Sequence, residues 1–238
     1  MIISHKHKFI FIKTRKTAGT SLEIALGDHC GPKDIITRIS MEDERVRRKI
    51  SLRGAQNYRI SFVFYTWQDW KNLLIKGRFK RFENHDTAEK IKSFITEEQW
   101  NDYFKFCFER NPWDKMVSHY YWKKSFYQLV NFEEYISRGE SGEITGFLET
   151  INSRDQYSLD GKVAVDKIYK YEEMDQALSD ITSRLGLSNP LKMPNYRAKG
   201  QHREEKQNMR SLLNDDHIQW IAEKFAQEIE LLNYKFPE

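Results

Sequence analysis

The stretch that decides the fold reads Phe9-Ile-Phe-Ile-Lys-Thr-Arg-Lys-Thr-Ala-Gly-Thr-Ser-Leu-Glu-Ile-Ala-Leu26. Its first four residues are an uninterrupted apolar run, the pattern of a short strand buried on both faces. Ser21 to Leu26 reads as a helix that stops near Gly27. The turn between them is built of small, hydroxylated and basic residues. Such a loop offers an anion its backbone N–H groups and the positive end of the helix dipole. Gly19 lets the backbone come close, Thr17, Thr20 and Ser21 add hydroxyls, and Lys16 adds a point charge. A polar turn that only caps a helix accounts for the hydroxyls, but not for Lys13, Arg15 and Lys16 together at its mouth. The loop is also not of the G-x-x-x-x-G-K-[ST] kind that cradles nucleoside triphosphates. It lacks the leading glycine, its lysine precedes the glycine, and no plain strand ends in a magnesium-holding aspartate.

Working outward, residues of about 30 to 84 are the least patterned, with Asp43 to Ile50 compatible with a helix and Tyr58 to Tyr65 with an extended segment. Beyond them, Ala88, Ile91 and Ile95 at spacings of three and four predict a helix over Thr87 to Ile95. Thr96-Glu-Glu-Gln99 carries a capping box for a second. Phe104, Phe106 and Phe108 alternate as in a strand, and Asn111-Pro112 supplies a cap and an N1 proline for a helix to about Lys124. Gly161 to Asp166 and Lys167 to Tyr171 read as short strands, and Glu173 to Leu185 as a helix closed by Gly186. Asn214 caps a last helix whose stripe is Ile218, Ile221, Ala222, Phe225, Ile229 and Leu232. Strands alternating with helices predict an α/β three-layer sandwich with a mainly parallel central sheet and a P-loop-like nucleotide-binding topology.

The 238 residues suit one domain over 1–238, with about 30–84 as a variable segment for acceptor recognition. The 39 basic and 35 acidic residues leave a net charge of +4, enough to suit an anionic ligand and too little to point to nucleic acid. The basic run Arg45 to Lys49, with Arg53, follows three acids and reads as a solvated helix face. Cys30 and Cys107 form no framework and no C-x-x-C, which fits a reducing compartment. No signal-type segment and no apolar run of membrane-spanning length is present, so a cytoplasmic chain with no membrane span is expected. No His/Cys/Asp cluster has ligand spacing, and no metal is expected. The oligomeric state stays open.

A second segment, Phe106-Cys-Phe-Glu-Arg-Asn-Pro-Trp-Asp-Lys-Met-Val-Ser118, places Arg110 at a strand end and Ser118 about two turns into the following helix. A strand-end arginine can grip a phosphate with two N–H bonds, or pair with a surface carboxylate. Taken together, Lys16 to Ser21 and Arg110 with Ser118 resemble the sulfotransferases that use 3′-phosphoadenosine-5′-phosphosulfate (PAPS). The likeness is to the carbohydrate branch, heparan 2-O-sulfotransferase-like, with bacterial members. It extends through Asn84 to Ala88, Asp160 to Glu172 and Ile229 to Phe236. The resemblance implies that the loop, Arg15 through Ala18 to Ser21, holds the 5′-phosphosulfate of PAPS as co-substrate, and that Arg110 and Ser118 hold the 3′-phosphate. It implies further donor contacts from Lys199 and Arg203, in a stretch that lacks the tyrosine pair usual in the family. The acceptor would be a hydroxyl-bearing small molecule or glycan, and Trp67, Trp70 and Trp122 suit either sugar stacking or core packing.

The reaction so implied needs an in-line attack by a hydroxyl on sulfur. Lys16 is the candidate to stabilise charge on the departing oxygen, and His85 the candidate base, with Glu83 and Asp86 as substitutes. His119 and His217, inside helices, are read as structural. A nucleotide-dependent kinase and a non-catalytic nucleotide- or glycan-binding module are the competing classes.

Overall fold

A computed structural model describes residues 1–49, 52–194 and 209–237. Strand β1 (Ile2–Ser4) turns at residues 5–8 into β2 (Phe9–Phe11), an antiparallel pair with Ile2 opposite Phe11. Then come α1 (Gly19–His29), β3 (Ile35–Ile36), α2 (Met41–Lys49), α3 (Trp67–Lys76), α4 (Ala88–Lys92), α5 (Glu97–Asp102) and β4 (Phe104–Glu109). The chain continues through α6 (Pro112–Tyr127), α7 (Phe132–Glu140), α8 (Phe147–Ile151), β5 (Ser158–Leu159), β6 (Lys162–Val163) and β7 (Lys167–Lys170). It ends in α9 (Met174–Arg184), α10 (Met209–Leu212), α11 (Asp215–Lys224) and α12 (Ala226–Leu232).

The central sheet has the order β3-β1-β2-β4-β7. It is mixed: β1 runs antiparallel to both neighbours, whereas β2, β4 and β7 are mutually parallel. The strand period of two divides the apolar residues between its faces. Phe9, Phe11, Phe106 and Phe108 meet Leu22, Ala25 and Leu26 of α1 and Leu178 and Ile181 of α9. Ile10, Ile12 and Cys107 face the other way, onto Ala88 and Ile91 of α4, Trp100 and Tyr157. Helix–sheet–helix layering follows, as the alternation predicts. A third core joins α6, α7, α8 and α11 through Met116, Tyr120, Phe132, Tyr135, Phe147, Ile221 and Phe225.

Several local expectations need correction. Helix α1 does not stop at Gly27 but runs to His29, because Gly27 is buried and takes a normal helical place. Tyr58 to Tyr65 is not a strand. It makes one isolated bridge, Arg59 to Arg81, and then a 3₁₀ turn over Phe62–Phe64, with its aromatics stacking on one another. Residues 161–166 give half of the β5–β6 hairpin rather than a full strand. The C-terminal stripe bends at Phe225 into two helices. Asn111 makes no side-chain cap; its Nδ2 donates 2.8 Å to the Lys235 carbonyl instead.

The basic run is solvated only in part. Arg45, Arg48 and Lys49 are exposed, but Arg47 is fully buried, 3.3 Å from Glu44 and 3.9 Å from Glu23. Both cysteines are free and buried, and burial pushes both thiols up from the ordinary cysteine value. Among the described residues no helix is long and apolar enough to cross a membrane.

Candidate active site

Parallel strands β2 and β4 lie side by side, so the loop after β2 and the segment after β4 leave the sheet at the same edge. Carboxyl ends of neighbouring parallel strands are where open α/β sheets collect ligands. The loop curls through two residues with left-handed backbone, Lys16 at φ 61° and Ala18 at φ 57°. Ala18 is also the N-cap of α1 and offers no side-chain acceptor. The first helical bond is Leu22 N–H to the Ala18 carbonyl, so the N–H groups of the first turn have no helical partner. No acid sits in that turn. An uncapped, positively polarised helix end is therefore presented beside Lys16, an arrangement that an anion completes.

The inner wall of the loop is fixed by polar contacts. Thr14 Oγ1 donates to the Phe108 carbonyl of β4, and the Thr17 hydroxyl lies 3.0 Å from Thr14 Oγ1. Thr17 is thus a buried brace of the loop in this conformation, while Thr20 is half-buried and Ser21 nearly covered. A β-carbon on Gly19 would fall 2.7 Å from Lys13 Cγ, so the absent side chain makes room for the Lys13 stem. The glycine that the sequence assigns to ligand approach also has an inward reason.

Arg110 connects the two segments. Its Nη1 donates 3.0 Å to the Lys16 carbonyl, while Nε and Nη2 hold Asp114 at 2.7 and 2.6 Å. Its guanidinium lies 4.4 Å from the Tyr171 ring centre at the end of β7. Arg110 is thus paired with a carboxylate, as the second of its two readings has it, and also sits against the loop after β2. Asp114, Ser118 and Trp122 follow at spacings of four along one face of α6. Ser118 is half-buried on that face, and Lys16 Nζ lies 4.8 Å over the Trp122 ring at its far end. Lys123 Nζ approaches the same ring at 4.0 Å. A cavity of about 420 Å³ opens there, lined by Trp122, Lys123, Ser125 and Phe126.

His85 reaches the loop from the chain before α4. Its Nδ1 lies 2.8 Å from the Lys13 carbonyl, and since a carbonyl only accepts, Nδ1 carries the proton and Nε2 is the basic nitrogen. Burial holds the ring well below the ordinary histidine value, and the Lys13 and Arg15 charges act in the same direction. At neutral pH the imidazole is uncharged. Glu83, an exposed side chain, pairs with Arg81, and Asp86 is buried with Lys90 and the Glu83 N–H.

Arg15 reaches the start of α8. Its Nη1 packs over Gly146, 3.2 Å from where a β-carbon would sit, and His119 Nε2 approaches the same point at 3.6 Å. His119 is fully buried, with Nδ1 2.8 Å from the Tyr135 hydroxyl. His217 closes a capping box and holds Glu133 at 2.8 Å, as a structural histidine does. Trp67 is largely exposed and Trp70 stacks on Phe62, so core packing does not account for the first of them. Lys199 and Arg203 lie outside the described residues. Among the described residues no three metal-ligating side chains converge.

Sequence reasoning missed the cluster behind the loop. Lys13 Nζ is buried, 2.9 Å from both Glu23 Oε2 and Asn84 Oδ1. The available signal was Glu23 itself, an acid inside the apolar run Leu22-Glu-Ile-Ala-Leu26. It also missed the buried Glu109–Lys115 pair with Ser153 beneath β4.

The strand–loop–helix unit, the strand-end arginine and the neutral histidine are gathered on the mixed sheet of an α/β protein. A family model described as "Sulfotransferase family" matches residues 1–235, and the chain belongs to that family. It is accordingly a sulfotransferase, and its general chemistry is sulfuryl transfer. An uncharacterized protein of Archaeoglobus fulgidus is 30% identical over 106 residues, covering 44% of this chain and 85% of the relative. Among solved structures, mouse sulfotransferase SULT7A1 complexed with PAP is 14% identical, with 95% of this chain and 85% of that one covered at a TM-score of 0.46. A sulfotransferase from Alicyclobacillus acidocaldarius is 13% identical, with 95% and 96% covered at a TM-score of 0.40.

Proposed function

We propose that the protein transfers the sulfuryl group of PAPS to a hydroxyl of a carbohydrate acceptor. The observation that supports this reading is that the uncapped α1 end follows a loop that carries Lys16 and whose Lys13 carbonyl holds a neutral, tautomer-fixed His85. In the reaction, the acceptor oxygen forms a bond to sulfur while the bond from sulfur to the bridging phosphate oxygen breaks. The electron pair leaves with the 3′,5′-bisphosphate, and Lys16 together with the α1 N–H groups offsets the charge that grows there. The acceptor proton passes to His85 Nε2. Positioning supplies most of the acceleration, since the centre forms no covalent intermediate.

In this reading Arg110 and Ser118 take the 3′-phosphate, and the Arg110 bond to the Lys16 carbonyl supports a link between the two phosphate-binding segments. The aromatic and cationic walls of the cavity at Trp122 suit a sugar ring. A single domain with residues of about 30 to 84 shaping the acceptor side is part of the same proposal.

The test combines binding and turnover. PAP is expected to raise Tm in the presence of EDTA by several degrees, as a ligand at 100 times its Kd does, whereas ATP is not. A radiolabelled PAPS screen over glycans and simple alcohols is expected to label a glycan hydroxyl. Stabilisation by ATP and not PAP would overturn the donor assignment, and PAP binding without transfer to any acceptor would leave a binding module.

A further inference from the structure

The cluster behind the donor loop joins two parts of the centre that are far apart in sequence. Lys13 holds the Asn84-His85 pair at both ends of its own residue. Its Nζ donates 2.9 Å to Asn84 Oδ1, and its carbonyl accepts 2.8 Å from His85 Nδ1. The ammonium is fixed in turn by Glu23 of α1 at 2.9 Å, in a site where Lys13 is 2% and Glu23 0% exposed. Glu23 Oε1 accepts from Thr37, and Arg47 closes the far side at 3.9 Å. The stem of Lys13 runs under Gly19, where any β-carbon would collide with it. A lysine so placed cannot reach a ligand without breaking a buried ion pair, yet it touches the helix, the loop and the base together.

We propose that Lys13, locked by Glu23, is a positioning residue that fixes the tautomer and direction of His85 relative to the donor loop. The inference rests on the assignment of His85 as the base. Two consequences follow from the geometry. Loss of the Asn84 contact frees the chain around His85, so the Nδ1–H bond loosens and the ring samples its other tautomer. Loss of the Lys13 charge removes one of the cations that keep the ring neutral. The groups that face His85 are Lys13 and Arg15 from the loop and the amino group of Met1 from β1; on its own segment Glu83 and Asp86 are engaged by Arg81 and Lys90. The first three all disfavour protonation, so removing Lys13 raises the pH at which His85 titrates.

Long-range ¹H–¹⁵N spectra of the histidine rings test this without reference to any acceptor. His85→Gln assigns the resonance. In the unaltered protein His85 is expected as the Nδ1–H tautomer, still neutral where an ordinary histidine is already protonated. In Lys13→Met its midpoint is expected to move up, and in Asn84→Ala the two tautomers are expected to mix. If Lys13→Met does not fold, Asn84→Ala carries the test, because it removes no buried charge. An unchanged His85 tautomer and midpoint in a folded Asn84→Ala or Lys13→Met protein overturns the proposal. Turnover separates the two readings. With His85 as base, Asn84→Ala is expected to lower kcat at least ten-fold with little change in the PAP-induced Tm shift. Full rate in His85→Gln sinks the base and the positioning role with it. An inactive His85→Gln beside a fully active Asn84→Ala sinks the positioning role alone.

Discussion

Lys16 occupies a backbone conformation that few lysines adopt, and it does so beside another left-handed residue, Ala18. Such geometry persists when the surroundings over-determine it. Here the Arg110 bond to the Lys16 carbonyl and the Thr14 bond to β4 provide that constraint. Removing the side chain leaves the loop braced and takes away the charge that we propose stabilises the departing oxygen. Lys16→Ala is therefore expected to lower kcat about 100-fold or more, with Tm of the free protein changed by only a few degrees. Near-normal turnover in a steady-state assay would end its catalytic role. Sequence singled out Lys16, Arg110 and His85 as candidates because each stands in a short run with its own signal. It did not show Lys13 as a buried brace, since its partner Asn84 is 71 residues away and no local pattern reports a contact of that range.

Elements were legible where their signals are local. The β2–loop–α1 unit, the capping box at Thr96, the Asn214 cap and the alternation of β4 depend on residues within one turn or one strand. The failures occurred where a distant group overrides a local preference. Asn111 has the sequence of a cap, but the Lys235 carbonyl claims its side chain and Glu172 takes its N–H. Residues 58–65 have strand composition without a neighbouring strand to pair with beyond one bridge. Tight packing between elements is equally invisible in one dimension. Gly139 of α7 faces the Phe147 ring, whose carbons would lie 2.3–2.4 Å from an added β-carbon. Gly139→Ala improves helix propensity and yet overfills this contact, so it is expected to destabilise by about 1–3 kcal/mol. Urea melts monitored by circular dichroism would show the lowered midpoint, and an unchanged midpoint would mean that α7 and α8 separate easily.

For the whole molecule, buried ionisable groups set the response to pH. His85 and His119 are both held well below the ordinary histidine value, first by burial and then by nearby cations. Their contribution is present above the unfolded value near 6.5 and is lost as pH falls below it, because the unfolded chain binds protons that the folded one refuses. Glu228 has the opposite sign. Burial, with Glu109 nearby, raises it to about 6, so its folded form is favoured below the unfolded value of 4.5 and disfavoured above 6. Glu228→Gln is expected to add about 2 kcal/mol at pH 7.5, and to make the loss of stability between pH 7 and 5 steeper. Calorimetry across that range checks both signs, and a flat profile would contradict the buried, neutral state of the two histidines.

The two cysteines lead to a different use of the molecule. Both thiols are buried and held protonated. The folded protein thus offers a chemically quiet background to maleimides. A thiol placed at exposed Ser125, on the cavity wall beside Trp122, would accept a single fluorophore without first deleting any native cysteine. The sulfotransferase can then be made its own reporter of what enters that cavity.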